Sequence, residues 1–149
     1  MDIFVFGTLK SETLRTIVLG RDLAPMDICT ASIKGFCVFL AKEGPFPVMV
    51  PDESSEAHGL ILKNLSDVDV ERLNYYELGF DYVLSPTSVE TNLGPAEVSA
   101  YFCNNSGMAT EKLWSYDDWL SDHADIQYFA AKEFLDFFGT KYGDTAQAM

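Results

Sequence analysis

The hydrophobic pattern changes period several times along the 149 residues, and each change marks an element. Ile3 to Phe6 is a short unbroken apolar run closed by Gly7, which predicts a buried strand. Ser11 is placed to cap a short helix carrying Thr13, Leu14, Ile17 and Val18, with Gly20 as its stop. Three runs rich in Val, Ile and Phe follow, ICTASIKGFCVFLA, PFPVMV and HGLILKNL, all strand-like and punctuated by Gly and Pro. Ser66 opens a second helix with Asp69 as its capping-box partner, running through Val70 and Leu73 towards Gly79. Two more strands are predicted at Tyr82–Thr91 and Ala96–Cys103 around an Asn92-Leu93-Gly94-Pro95 turn. Near the C-terminus Trp119, His123, Ile126, Ala130, Phe134 and Phe137 recur at spacings of three and four. That spacing predicts one long amphipathic helix stopped at Gly139, covering the sheet with His123 in the core. An aromatic face at a dimer interface is the alternative for this stripe.

Strands outnumber helices and arrive in runs, without βαβ alternation. The expected fold is therefore α+β: a small mixed or antiparallel sheet curled towards a β-barrel, with flanking helices and a C-terminal amphipathic helix. No Pro/Gly/Ser-rich linker divides the chain, so residues 1–149 read as a single domain with a helical extension at about 115–139.

Charge narrows the partners. A formal net charge of -13 argues against nucleic acid and against anionic membrane surfaces. No segment reaches the roughly 18 apolar residues of a membrane helix, and the first residues lack the basic n-region of a signal peptide. Cys29, Cys37 and Cys103 are odd in number and widely spaced, which favours buried free thiols in a reducing compartment, here the cytoplasm. His58, His123 and the three Cys show no metal-ligand spacing, and neither a phosphate-binding Gly-rich loop nor a Gly-x-Ser-x-Gly elbow occurs. Neither a metal nor a cofactor is expected. Monomer and homodimer stay equally open.

One residue breaks the pattern of the second helix. At about 100° per residue, Glu77 falls on the same side as Val70 and Leu73, so laying the helix on those two buries the carboxyl with them. Burial raises a carboxyl pKa, and the negative end of the helix dipole adds to the effect. Such a group trades protons near neutral pH, as a general acid/base must. The alternatives are that the helix frays before Glu77, or that Glu77 pairs with a buried Tyr or Lys. At the other end of the chain, the strand ending at Gly7 turns at once through Thr8 and Leu9, where backbone approaches a ligand closely and successive N–H groups can form an anion nest.

Phe6-Gly7-Thr8-Leu9 together with Leu73-Asn74-Tyr75-Tyr76-Glu77 resembles the gamma-glutamylcyclotransferase-like (AIG2-like) family. Its members open with a strand ending in Tyr-Gly-Thr-Leu or Tyr-Gly-Ser-Asn and later carry Leu-Asp-x-Tyr-Glu at a helix end. Gly44-Pro45-Phe46-Pro47-Val48, His58-Gly59-Leu60-Ile61, Tyr82 and Ala100-Tyr101 match further family segments in the same order, so the resemblance covers about residues 1–103. It implies a small mixed barrel and the conversion of a small γ-glutamyl compound into 5-oxoproline and a released amine. Glu77 would be the acid/base, the backbone of Gly7, Thr8 and Leu9 would hold a carboxylate or oxyanion, and Phe6, Tyr82 and Tyr101 would line the substrate pocket. Its mouth is expected between Pro45–Pro47 and the C-terminal helix, where the Phe46-Pro47 bond could be either cis or trans, since X–Pro alone tolerates the cis form cheaply. Two positions depart from the family: Phe6 stands in place of the usual Tyr, and Asn74 in place of Asp. Both favour the rival reading, a non-catalytic small-molecule-binding module on the same fold. An acidic interaction protein without a pocket is the third.

Overall fold

Strand β1 (Ile3–Val5) is buried on both faces, which is why its sequence runs apolar without alternation. The computed structural model, which describes residues 1–77, 82–103 and 106–138, sets it between two longer strands. With β2 (Ile28–Ala41), β3 (Pro47–Leu62), β4 (Tyr82–Thr91) and β5 (Gly94–Cys103) in place, β1 pairs antiparallel with β3 and parallel with β5. The order β3-β1-β5-β4-β2 returns to β3 through the long β2–β3 hairpin, so five strands close into a mixed barrel. A register shift between Lys34 and Phe36 bends that hairpin, as a bulge does, and helps the closure. A short sixth strand, β6 (Ala109–Leu113), extends the sheet beyond β2; its residues carry no apolar alternation, so no periodic signal marks it.

PFPVMV and HGLILKNL prove to be the two ends of one strand. The polar stretch between them, Pro51–Glu56, lies on the solvated half of the β2–β3 hairpin, and polarity there breaks the pattern without breaking the strand. Side chains alternate along β1: Phe4 and Phe6 join Ile33, Met49, Ile61, Val89, Val98 and Ala100 inside the barrel, while Ile3 and Val5 face the helices. Gly59 permits the β1–β3 approach, because a Cβ there would lie 2.1 Å from the Val5 carbonyl oxygen.

The first two helices start as their sequence predicts. The Ser11 hydroxyl accepts the Leu14 N–H at 3.2 Å and caps α1 (Glu12–Leu19). In α2 (Asp67–Glu77) the box is reciprocal: Ser66 N–H donates to Asp69 at 2.9 Å, and Asp69 N–H donates to the Ser66 hydroxyl at 3.1 Å. The buried Asp69 also receives both arms of Arg21, at 3.0 and 2.6 Å, which fastens α2 to the loop after α1. Arg72 donates to the Val18 carbonyl at 2.7 Å and completes the helix pair.

The C-terminal stripe is a correction. Two helices stand where one was expected, α3 (Tyr116–Asp122) and α4 (Ala124–Phe138), with the chain leaving helical geometry at His123. The break shifts the register, so Trp119, Ala124, Ala131, Leu135 and Phe138 are the buried set. His123 is exposed, as are Ile126, Ala130, Phe134 and Phe137. The Phe46-Pro47 bond is trans. None of the three cysteines is in a disulfide, and each is half-buried where full burial was expected. No helix among the described residues is long and apolar enough to cross a membrane. Gly79 and Gly139, proposed as helix stops, lie outside the described residues.

Candidate functional site

Strand β1 delivers the chain to Gly7, and the next three residues wind into a 3-10 turn, Thr8–Lys10. Its own bonds run from the Lys10 N–H to the Gly7 carbonyl and from the Ser11 N–H to the Thr8 carbonyl, each 3.0 Å. The N–H groups of Thr8 and Leu9 open the turn and so have no partner within it. Gly7 is required here by close approach, since a Cβ would meet Pro47 Cγ at 2.4 Å. That packing holds the turn against the first residue of β3. Helix α2 ends at Glu77, and β4 and β5 contribute Tyr82 and Tyr101.

These elements enclose a cavity of about 460 Å³. All seven residues singled out in the sequence line it: Phe6, Gly7, Thr8, Leu9, Glu77, Tyr82 and Tyr101. Phe46 and Pro47 close one side, as expected for the mouth, and Gln127 of α4 reaches in from another.

Burial pushes the Glu77 carboxyl from its ordinary 4.5 up to about 8. No described residue hydrogen-bonds or ion-pairs with it. Its charge is felt by three phenols, Tyr76, Tyr82 and Tyr101. Burial, reinforced by Glu77, drives all three above the usual tyrosine value, Tyr76 to about 12, with Gln127 and Thr8 hydrogen bonds opposing the rise at Tyr76. The site therefore offers a neutral, largely apolar wall around one titratable acid.

Two of the three phenol protons, those of Tyr82 and Tyr101, are engaged within the protein. Tyr101 donates to Asn74 Oδ1 at 2.6 Å, and Tyr82 donates to the Pro47 carbonyl. Their expected role as donors to a ligand is thus narrowed, for a donating hydroxyl keeps only acceptor capacity for another group. Two residues escaped the sequence reading. The Tyr76 hydroxyl accepts from Gln127 Nε2 at 2.5 Å, and Gln127 Oε1 accepts from the indole of buried Trp119 at 2.8 Å. Tyr76 had a signal, standing three residues after Leu73 on the buried face. Gln127 had only its polarity within an apolar helix. Among the described residues no group of three or more His, Cys, Asp or Glu is placed to hold a metal ion.

A sequence profile described as gamma-glutamyl cyclotransferase, AIG2-like, matches residues 3–121. The chain belongs to this family. AIG2-like protein C of Arabidopsis thaliana is 24% identical over 137 residues, 91% of this chain and 78% of that one. A solution structure of a protein from Arabidopsis thaliana superposes with a TM-score of 0.63 at 23% identity, covering 91% of this chain and 90% of the other. A yeast gamma-glutamyl cyclotransferase specific to glutathione superposes at 0.53 with 12% identity, over 93% and 96% of the two chains. At such identities the superpositions show a common fold. Within this AIG2-like chain the match ends before α4, so Gln127 enters the cavity from outside the matched segment.

Proposed function

We propose that the protein is a γ-glutamyl cyclotransferase, releasing 5-oxoproline and an amine from a small γ-glutamyl compound with Glu77 as general acid/base. The observation that carries the reading is a carboxyl without a hydrogen-bond or ion-pair partner among the described residues, held near pKa 8, in one cavity with the Gly7–Leu9 turn. Glu77 takes a proton from the substrate's α-ammonium group, and the freed nitrogen attacks the γ-carbonyl carbon to form the five-membered lactam bond. The bond from that carbon to the leaving nitrogen breaks as Glu77 returns the proton to it, and the second hydrogen of the attacking nitrogen then passes through the freed carboxylate to the amine, which departs as an ammonium ion. Atoms and charge balance, and no other reagent enters. A chain's α-amino group titrates at about 7.7–8.0, and the substrate's, beside its own α-carboxylate, about a unit higher, so an acid near 8 takes its proton at a cost of about 1–2 kcal/mol. The N–H groups of Thr8 and Leu9 are the donors for a substrate carboxylate or the developing oxyanion.

The test follows 5-oxoproline release from a panel of γ-glutamyl amides. Glu77→Gln should lower kcat/KM by at least about 10²-fold, the usual scale of acid/base assistance. No turnover of any compound, or undiminished turnover in the variant, overturns the proposal. The binding-module reading draws on Phe6, which lines the cavity without the hydroxyl usual at that position. Thermal stabilisation by a γ-glutamyl compound without product would favour it.

A further inference from the structure

We infer that the amine released from the substrate is apolar and seats in a groove between Phe46 and helix α4, beside the Glu77 cavity. The inference rests on the cyclotransferase reading for the identity of the γ-glutamyl end. The groove holds about 690 Å³ of empty space, part of it open to solvent, and shares Phe46, Tyr76 and Gln127 with the cavity, so the two adjoin across those residues. A substrate with its γ-carbonyl at Glu77 projects its leaving group past the Tyr76–Gln127 pair. That partition is fixed by the two hydrogen bonds running from Trp119 through Gln127 to Tyr76, with Trp119 buried.

Beyond the partition the chemistry is uniform. Ala130 and Ala131 leave room where larger side chains would fill it. Phe134 forms the far wall and is itself held by stacking on Tyr75, centroids 4.4 Å apart at 18°. No lining residue carries a charge, so recognition there comes from apolar burial and shape. A strongly negative chain gives an anionic leaving group no compensating partner in this groove. Helix α4 begins at Ala124, past residue 121 where the family match ends, so this wall belongs to a segment the match does not cover.

The test separates the groove from the chemistry. Binding of γ-glutamyl-phenethylamide and γ-glutamyl-ethylamide, which differ only by a phenyl ring, is measured by calorimetry on the Glu77→Gln protein. The phenethylamide should bind about 10-fold more tightly or better, as burial of an aromatic ring requires. Adding Ala130→Phe, an exposed position where the ring fills the groove and the helix is undisturbed, should bring the ratio close to unity. Phe129→Ser, on the exposed face outside the groove, should leave the ratio intact. Equal affinities, binding of neither compound, or a preference that survives Ala130→Phe overturns the inference. Separately, absence of 5-oxoproline from both amides and from every other γ-glutamyl compound of the panel with unmodified protein overturns the cyclotransferase reading, while the binding ratio still decides the groove.

Discussion

Replacing Glu77 with Gln should stabilise the protein at alkaline pH and change little in acid. The carboxyl titrates near 4.5 when exposed and at about 8 in the fold, because burial disfavours its charged form. Between those values the folded chain holds a proton that the unfolded chain has released, so stability falls as pH rises. The slope is about 1.4 kcal/mol per pH unit, and the whole interval sets a ceiling of about 5 kcal/mol. Glu77 is half-buried and faces an open cavity, so solvent screens the ionised form, and about half that ceiling, 2–3 kcal/mol, is the expected plateau. Gln keeps the shape and has no proton to lose. Denaturant unfolding of both proteins at closely spaced pH values from 4.5 to beyond 8 reads the difference directly. It should start near zero, grow through the window and level off once the folded carboxyl has ionised. A difference independent of pH, or one that shrinks as pH rises, refutes the buried-acid assignment and removes the basis for its catalytic role.

Three further outcomes follow from the site and its supports. The acid limb of kcat/KM should lie near pH 8; Asn74→Asp, adding a charge three residues before Glu77, should move it up by about 0.5–1 pH unit, and Asn74→Ala, freeing the Tyr101 proton to turn towards the carboxyl, should move it down by about as much. Gly7→Ala forces a Cβ against Pro47 and should cost about 1–3 kcal/mol in thermal unfolding, with 5-oxoproline formation reduced about 10-fold or more as the Thr8 and Leu9 donors shift. Asp69→Asn removes an acceptor shared by Arg21 and the Ser66 N–H and should cost about 1–2 kcal/mol in urea unfolding without altering the pH profile of catalysis.

Local rules made much of this legible. Caps and stops are decided by a few neighbouring residues, so Ser11, Ser66 and Asp69 could be read directly. The side on which Glu77 lies follows from helix geometry once Val70 and Leu73 are taken as inward, and Leu73 is fully buried. What failed depended on something non-local. The β2–β3 hairpin is continuous because its ends pair, although its middle is polar. The break at His123 changes which residues of α4 face α1 and α2, and a stripe counted through it selects the exposed set. Gln127 was invisible for the same reason: its contacts to Trp119 and Tyr76 arise only when α3, α4 and α2 pack together.

The placement of the phenol protons bears on how the carboxyl keeps its unusual state. Three tyrosines surround Glu77, and a hydroxyl donating to it would favour the ionised form and draw the pKa down. Tyr82 gives its proton to the Pro47 carbonyl and Tyr101 gives its proton to Asn74, so both supply buried bulk without supplying a hydrogen bond. The two departures from the family pattern act on the same balance. Phe6 removes a hydroxyl from the cavity wall, and Asn74 is an acceptor for Tyr101 that brings no charge of its own. With the Tyr82 and Tyr101 protons directed elsewhere, burial is the cause of the elevation at Glu77. A group elevated only by burial responds to whatever fills the cavity: an ammonium placed beside it draws the proton off, and an apolar leaving group that expels water raises its affinity for the proton again. The first readies Glu77 to accept the proton that the proposed cyclisation removes from the ammonium, and the second holds that proton on the carboxyl until the departing amine takes it.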